Sequence, residues 1–161
     1  MLSKSEVDLL LSLPKITPTR HVDFKNHKTI LHLTAKEEPK IEFRLHITNS
    51  KKIRFKLHCH HDHETIGLIR VDFYSGHRNP SEITKDVPEF LHQYVGMRFT
   101  RNDHHVHIYV ENQELKWAVP IKDSFINIRD IKSDSDIITV INELTSHINL
   151  ETKLIFALST C

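Results

Sequence analysis

Glycine is nearly missing, with three residues in 161. A phosphate-cradling loop needs positions without a Cβ, and neither G-x-G-x-x-G nor G-x-x-x-x-G-K-[ST] occurs. The two cysteines, Cys59 and Cys161, make no disulfide framework, supply no C-x-x-C pair for a zinc finger, and suit a reducing compartment. No segment approaches the ~20 consecutive apolar residues of a membrane span. Residues 1–15 carry acidic residues inside a short apolar run and lack the regions of a signal peptide. The expectation is a cytoplasmic protein without a membrane partner. Net charge is +1 with neutral histidines, which gives no global pull toward nucleic acid or an anionic membrane.

What the chain does have is histidine, 14 residues of it. Imidazoles titrate near pH ~6.5 unless perturbed, so mild acid makes the protein distinctly basic. Apolar residues at 39% and charged residues at 27% are ordinary for a globular chain. A domain of this size hides roughly 70% of its unfolded surface and folds without a disulfide or structural metal. We therefore read residues 1–161 as one domain.

Periodicity predicts α+β architecture. Ser3 and Glu6 form a capping box for a helix over 3–13 that Pro14 ends. A mainly antiparallel sheet of about six strands is expected across 20–121; after a loop with a short strand near Val22 and Phe24, its first full strand is the alternating run 29–34. Residues 40–47 place Ile41, Phe43, Leu45 and Ile47 on one side and Glu42, Arg44 and His46 on the other. Residues 53–60 repeat this, with Arg54, Lys56, His58 and His60 opposite Ile53, Phe55, Leu57 and Cys59. Residues 65–73 are richer in apolar side chains and read as central. Residues 75–100, with Pro80 and Pro88, form a long excursion of the kind that often carries function. Residues 104–110 and 116–121 are two further strands joined by a turn at 111–114. A last helix spans 134–148, and the tail at 151–159 is a strand or a docked segment.

Three strands carry polar residues at spacing two: Arg54, Lys56, His58 and His60; Arg70 and Asp72; His105, His107 and Tyr109. If these strands are neighbours, imidazoles, cations, a carboxylate and a phenol meet on one surface, a set suited to acid–base chemistry and phosphate holding. The plainer reading is an antiparallel sheet with one wet face. His77 and Arg78 follow a central strand directly, where loops place functional groups, although Gly76, Asn79 and Pro80 are also ordinary turn formers. The run His58-Cys59-His60-His61-Asp62-His63 satisfies H-x-H-x-D-H, the metal signature of metallo-β-lactamase-like hydrolases. The chain is short for that fold, and no glycine-marked helix follows the run. Zinc on His58, His60, His105 and His107 is the metal alternative. Cys59 shares its side with apolar residues and reads as a buried thiol. Trp117 reads as core rather than as a platform for a base.

The ordered set Leu68-Ile69-Arg70-Val71-Asp72, His77-Arg78-Asn79-Pro80, His105-Val106-His107-Ile108-Tyr109 and Lys116-Trp117-Ala118-Val119-Pro120 resembles a bacterial and phage family of unknown function. That family shares H-R-N-P, H-x-H-I-Y and K-W-A-x-P after an N-terminal helix. More loosely, the pattern is similar to small ribonuclease toxins of the barnase–EndoU–colicin–RelE kind. That resemblance implies metal-independent RNA cleavage without a cofactor. His107 would be the general base or acid, with His58 or His77 as its counterpart. Arg70 or Arg78 would steady the phosphate, and Tyr109 or Lys116 would assist. His105 and Asp72 complete the candidate site. It also implies a toxin on a mobile element, with RNA as substrate and a cognate antitoxin as partner. A near-neutral charge departs from that pattern. The competing expectation is a non-enzymatic phage-borne protein that binds and blocks a host or defence protein.

Overall fold

In the computed structural model, which describes every residue except 24–25, 62 and 158–161 and the side chain of His61, the chain begins with helix α1, Lys4–Ser12. Ser3 caps it, its Oγ accepting from the Glu6 N–H at 3.1 Å. Short strands β1 (Lys15–Ile16) and β2 (His21–Asp23) follow, then the long meander β3 (Lys28–Ala35), β4 (Glu42–Asn49), β5 (Ile53–His61) and β6 (Glu64–Phe73). The excursion holds β7 (His77–Arg78), a 3₁₀ turn over Glu89–Tyr94 and β8 (Arg98–Phe99). The hairpin β9 (His105–Val110) and β10 (Glu114–Pro120), helix α2 (Asp134–His147) and strand β11 (Ile155–Ala157) complete the chain. Phe24, Asp62 and Cys161, each named in the sequence reading, lie outside the described residues.

The main sheet has the order β1-β3-β4-β5-β6-β9-β10, every pair antiparallel. Seven strands replace the expected six because β1, two residues with no readable period, pairs with the end of β3. The short strand at Val22 does not join this sheet; it pairs in parallel with β11. Ser133 stands at the N-cap of α2 without a side-chain cap. The Asp136 carboxylate instead accepts from the Lys132 N–H at 2.8 Å, an acidic group placed to complement the helix dipole.

Alternation, interrupted by register shifts at Leu57/His58 and at Glu114/Trp117, divides the sheet into two sides. Phe43, Leu45, Ile47, Phe55, Leu57, Cys59 and Val71 are buried and join one core cluster with Val7 of α1 and Ile137, Val140, Ile141 and Leu144 of α2. Cys59 is thus the structural thiol its neighbours implied. Trp117 is fully buried, its Nε1–H donating to Gln113 Oε1 at 3.0 Å. At the junction of the two helices lies Lys15, fully buried. Its ammonium donates to the carbonyls of Leu11, Leu13 and Ile148 at 2.9, 2.9 and 2.7 Å. One cation therefore satisfies C-terminal carbonyls of both α1 and α2, where the helix dipoles favour positive charge.

Open sheet edges invite pairing with other chains, and the edge at β10 is closed by side chains. The Asn79 amide acts as a substitute strand: its Oδ1 accepts from the Ala118 N–H at 2.8 Å and its Nδ2 donates to the Ala118 carbonyl at 2.8 Å. His77 Nε2 donates to the Lys116 carbonyl at 3.0 Å. The His77-Arg78-Asn79-Pro80 and Lys116-Trp117-Ala118-Val119-Pro120 segments therefore form one edge seal, which anchors the excursion.

Candidate functional site

The three polar strands are neighbours, as the site reading required: β5, β6 and β9 are consecutive in the sheet. Directly opposed residues point to the same side, so register defines three rows across it. One runs His32, Arg44, His58, Gly67; the next Ile30, His46, Lys56, Arg70, His107, Ala118; the third Thr48, Arg54, Asp72, His105, Pro120. The excursion divides this surface into a roofed part and an open part.

Under the roof, His105, His107 and Asp72 are fully buried. The His77 ring centroid lies 4.5 Å from that of His107, and Phe99 lies 4.6 Å from His105. Both buried imidazoles are oriented by backbone carbonyls. His107 Nδ1 donates to Leu115 O and His105 Nδ1 to Asp103 O, each at 2.8 Å. Their Nε2 lone pairs then face inward, toward Asp72 Oδ2, at 3.2 and 3.7 Å. The Nε2 of His105 has no hydrogen-bond partner among the described residues. Burial lowers the His105 pKa to about 4.

These three acceptors lie within 4.8 Å of one another, and the Leu115 and Asp103 carbonyls orient the imidazoles as in many metal sites. Two of the three nevertheless hold a cation of the protein. Arg70 Nη2 donates to His107 Nε2 at 2.8 Å and lies 3.1 Å from Asp72 Oδ2. Arg54 adds a second guanidinium, its Nε donating to Asp72 Oδ1 at 2.8 Å. Two fixed positive charges on one carboxylate oppose a divalent ion there. The expected zinc set also comes apart: His58 and His60 lie on β5, separated by β6 from His105 and His107. Burial pushes the Asp72 carboxyl up, but the guanidiniums of Arg70 and Arg54 outweigh this and hold it well below the usual carboxylate range.

The remaining sequence candidates are placed separately. The Tyr109 hydroxyl donates to the Leu2 carbonyl ahead of α1, away from His105 and His107. Arg78 is exposed on β7 and pairs in register with Arg98. Lys116 is exposed on β10. Neither His105 nor His107, the imidazoles expected to act in acid–base chemistry, reaches solvent in this conformation.

The open part spans β3 to β6. Arg44 and His32 are exposed there; Arg54, Lys56, Arg70, His46 and His58 are half-buried. The His46 and His58 rings meet edge to face with centroids 4.8 Å apart. Burial, then the charges of Lys56 and its neighbours, lowers the His58 pKa to about 4. His46 is lowered by burial and by Arg44 and Lys56. Lys56 is itself lowered, by burial and then by Arg70 and Arg54. These shifts share one origin beyond burial: positive charge is concentrated on this side of the sheet. Spacing in the sequence marks Arg54, Lys56, His58, His60 and Arg70 for this surface but does not bring His32, Arg44 and His46 into the candidate site. The period of two on β4 was the signal that held two of them.

Fold and surface together define an α+β protein with one sheet side packed under helices and the other cationic, imidazole-bearing and partly roofed. The chain belongs to the family of unknown function DUF6978, whose model matches residues 2–150. No curated protein and no solved structure matches it. Among the described residues no helix is long and apolar enough to cross a membrane.

Proposed function

We propose that this protein binds single-stranded RNA on the open side of β3–β6. The observation that carries the reading is the interleaving of four imidazoles, His32, His46, His58 and His60, with four fixed cations, Arg44, Arg54, Lys56 and Arg70, over three strand registers. Guanidinium and ammonium groups take phosphates, while rings and guanidinium planes stack on unpaired bases. A sheet is too flat to enter the deep, narrow major groove of an RNA duplex, whereas splayed single-stranded bases can lie on it. Near neutrality the whole chain has little long-range attraction, so the patch itself supplies the affinity. Cleavage, if the protein catalyses it, falls to accessible groups: neutral His58 beside His46, with Lys56 and Arg44 at the phosphate. This shifts the ribonuclease expectation from the buried His107 to the half-buried β4–β5 pair His46 and His58.

The test is fluorescence anisotropy of a labelled 20-mer RNA, single-stranded and duplex, with untagged protein at several salt concentrations. Tighter binding of the single strand, weakening as salt rises and lost in Arg44→Ala/Lys56→Ala, supports the reading. Equal binding by that double variant overturns it. Running the same RNA on a gel after incubation with EDTA, beside His58→Ala, tells cleavage from binding alone.

A further inference from the structure

One location on the open side is more ordered than a general basic patch. Asp72, wholly buried, fixes two guanidiniums at once. Arg54 approaches through Nε at 2.8 Å and Nη2 at 3.3 Å, and Arg70 through Nε at 3.1 Å. Each guanidinium has five N–H donors, so these bonds leave donors unspent on both. Arg54 also reaches Ser75 Oγ at 3.5 Å, and Arg70 reaches His107. Lys56 stands directly opposite Arg70 in register and two residues from Arg54 on the same side. Its stem lies against Gly67, where a Cβ would stand 3.1 Å from Lys56 Cε. Lys56 forms no ion pair among the described residues, although Glu114 is near enough to act on it electrostatically. Three cations therefore stand around one buried carboxylate, a net charge of +2 on the four side chains, with Lys56 the one cation of the three without a contacting anion among the described residues.

We propose that Arg54, Lys56 and Arg70 form a subsite for a terminal phosphate monoester, with Asp72 as the positioning residue that presents the two guanidiniums. The subsite rests on the RNA reading for its source, the 5′- or 3′-phosphorylated end of a strand. The charge count selects the monoester. A monoester carries about −1.5 to −2 at pH 7 and three acceptor oxygens, whereas an internal phosphodiester carries a single charge. Planar forks held in place by Asp72 suit bidentate phosphate recognition. Lys56 adds a flexible point charge at the third side. Arg44 and the histidines on the neighbouring rows then take the strand leading away from its end.

The experiment compares labelled RNA strands of one sequence carrying a 5′-phosphate, a 3′-phosphate or hydroxyls at both ends, with inorganic phosphate probed separately by thermal shift against a matched chloride control. At least fivefold tighter binding of one phosphorylated strand is expected. Lys56→Ala should abolish that preference while leaving residual binding through Arg44. Arg54→Lys keeps the charge and loses the fork, so it should reduce the preference. Asp72→Asn should do the same with all three cations present, an outcome that a purely structural role would not give in protein shown to be folded by its melting curve. If Asp72→Asn does not fold, Arg54→Lys and Lys56→Ala decide the question. Equal affinity for all three strands overturns the subsite and leaves RNA binding standing. No RNA binding, with melting raised by phosphate in wild type and not in Lys56→Ala, overturns RNA as the source and keeps the subsite. No response to any probe overturns both.

Discussion

Asp72→Asn tests the buried network most directly. The carboxylate is 0% exposed, while the side chains of Arg54 and Arg70 are 34% and 20% exposed. Asparagine keeps the shape but removes the charge, and it turns an amide N–H₂ toward guanidiniums that can only donate. Breaking a buried ion pair costs about 3–5 kcal/mol, because the surviving charge is left uncompensated. Here both guanidiniums keep some contact with water, which puts the loss toward the lower end, about 3 kcal/mol. One contact offsets part of it: the new amide can donate to His105 Nε2, now without a partner. Arg54→Gln should cost less, about 1 kcal/mol, since Asp72 keeps Arg70 and the freed position is partly wet. Trp117 is the single tryptophan and fully buried, so urea unfolding at pH 7 can be followed by its fluorescence. A loss below about 0.5 kcal/mol for Asp72→Asn, the range of an ordinary surface substitution, would refute the view that this carboxylate anchors the roofed cluster.

Acid should destabilise the fold over a defined window. His46, His58, His77, His104, His105 and His147 all have folded pKa values lowered chiefly by burial. Between pH ~6.5 and the folded values the unfolded chain binds more protons, so stability falls as pH drops. For His105, lowered to about 4, the contribution is on the order of 3 kcal/mol, and a melting temperature flat from pH 7 to pH 5 would contradict this. Lys15→Met leaves three helix-end carbonyls without their donor and should cost about 2–4 kcal/mol by urea unfolding; an unchanged midpoint would mean water replaces the ammonium. Asn79→Ala exposes the β10 edge at Ala118 and should both lower stability by about 2 kcal/mol and promote self-association. Light scattering of a stable, monodisperse variant would refute the edge-seal role. Arg70→Ala removes the guanidinium held by Asp72 and His107, so the variant should take up zinc on Asp72, His105 and His107 more tightly than wild type when titrated against a chromophoric chelator. Equal uptake would show that Arg70 is not the competing cation.

The sequence by itself determined which strands alternate, which side of each is apolar, and that α1 is capped by Ser3, because these follow from periods of two and 3.6 and from local hydrogen bonds. It also carried the membership of the polar surface, since Arg54, Lys56, His58, Arg70, Asp72, His105 and His107 stand at spacing two on strands that proved adjacent. Only the tertiary structure decided which of them reach solvent. Long-range contacts lay His77 and Phe99 over His105 and His107, and nothing local to β9 records that roof. The same distance in sequence hides Lys15, whose partners include a carbonyl 133 residues away, and Asn79, whose amide meets Ala118 39 residues on. A spacing rule tells which way a side chain points from its own strand; what lies above it is set by where the rest of the chain packs.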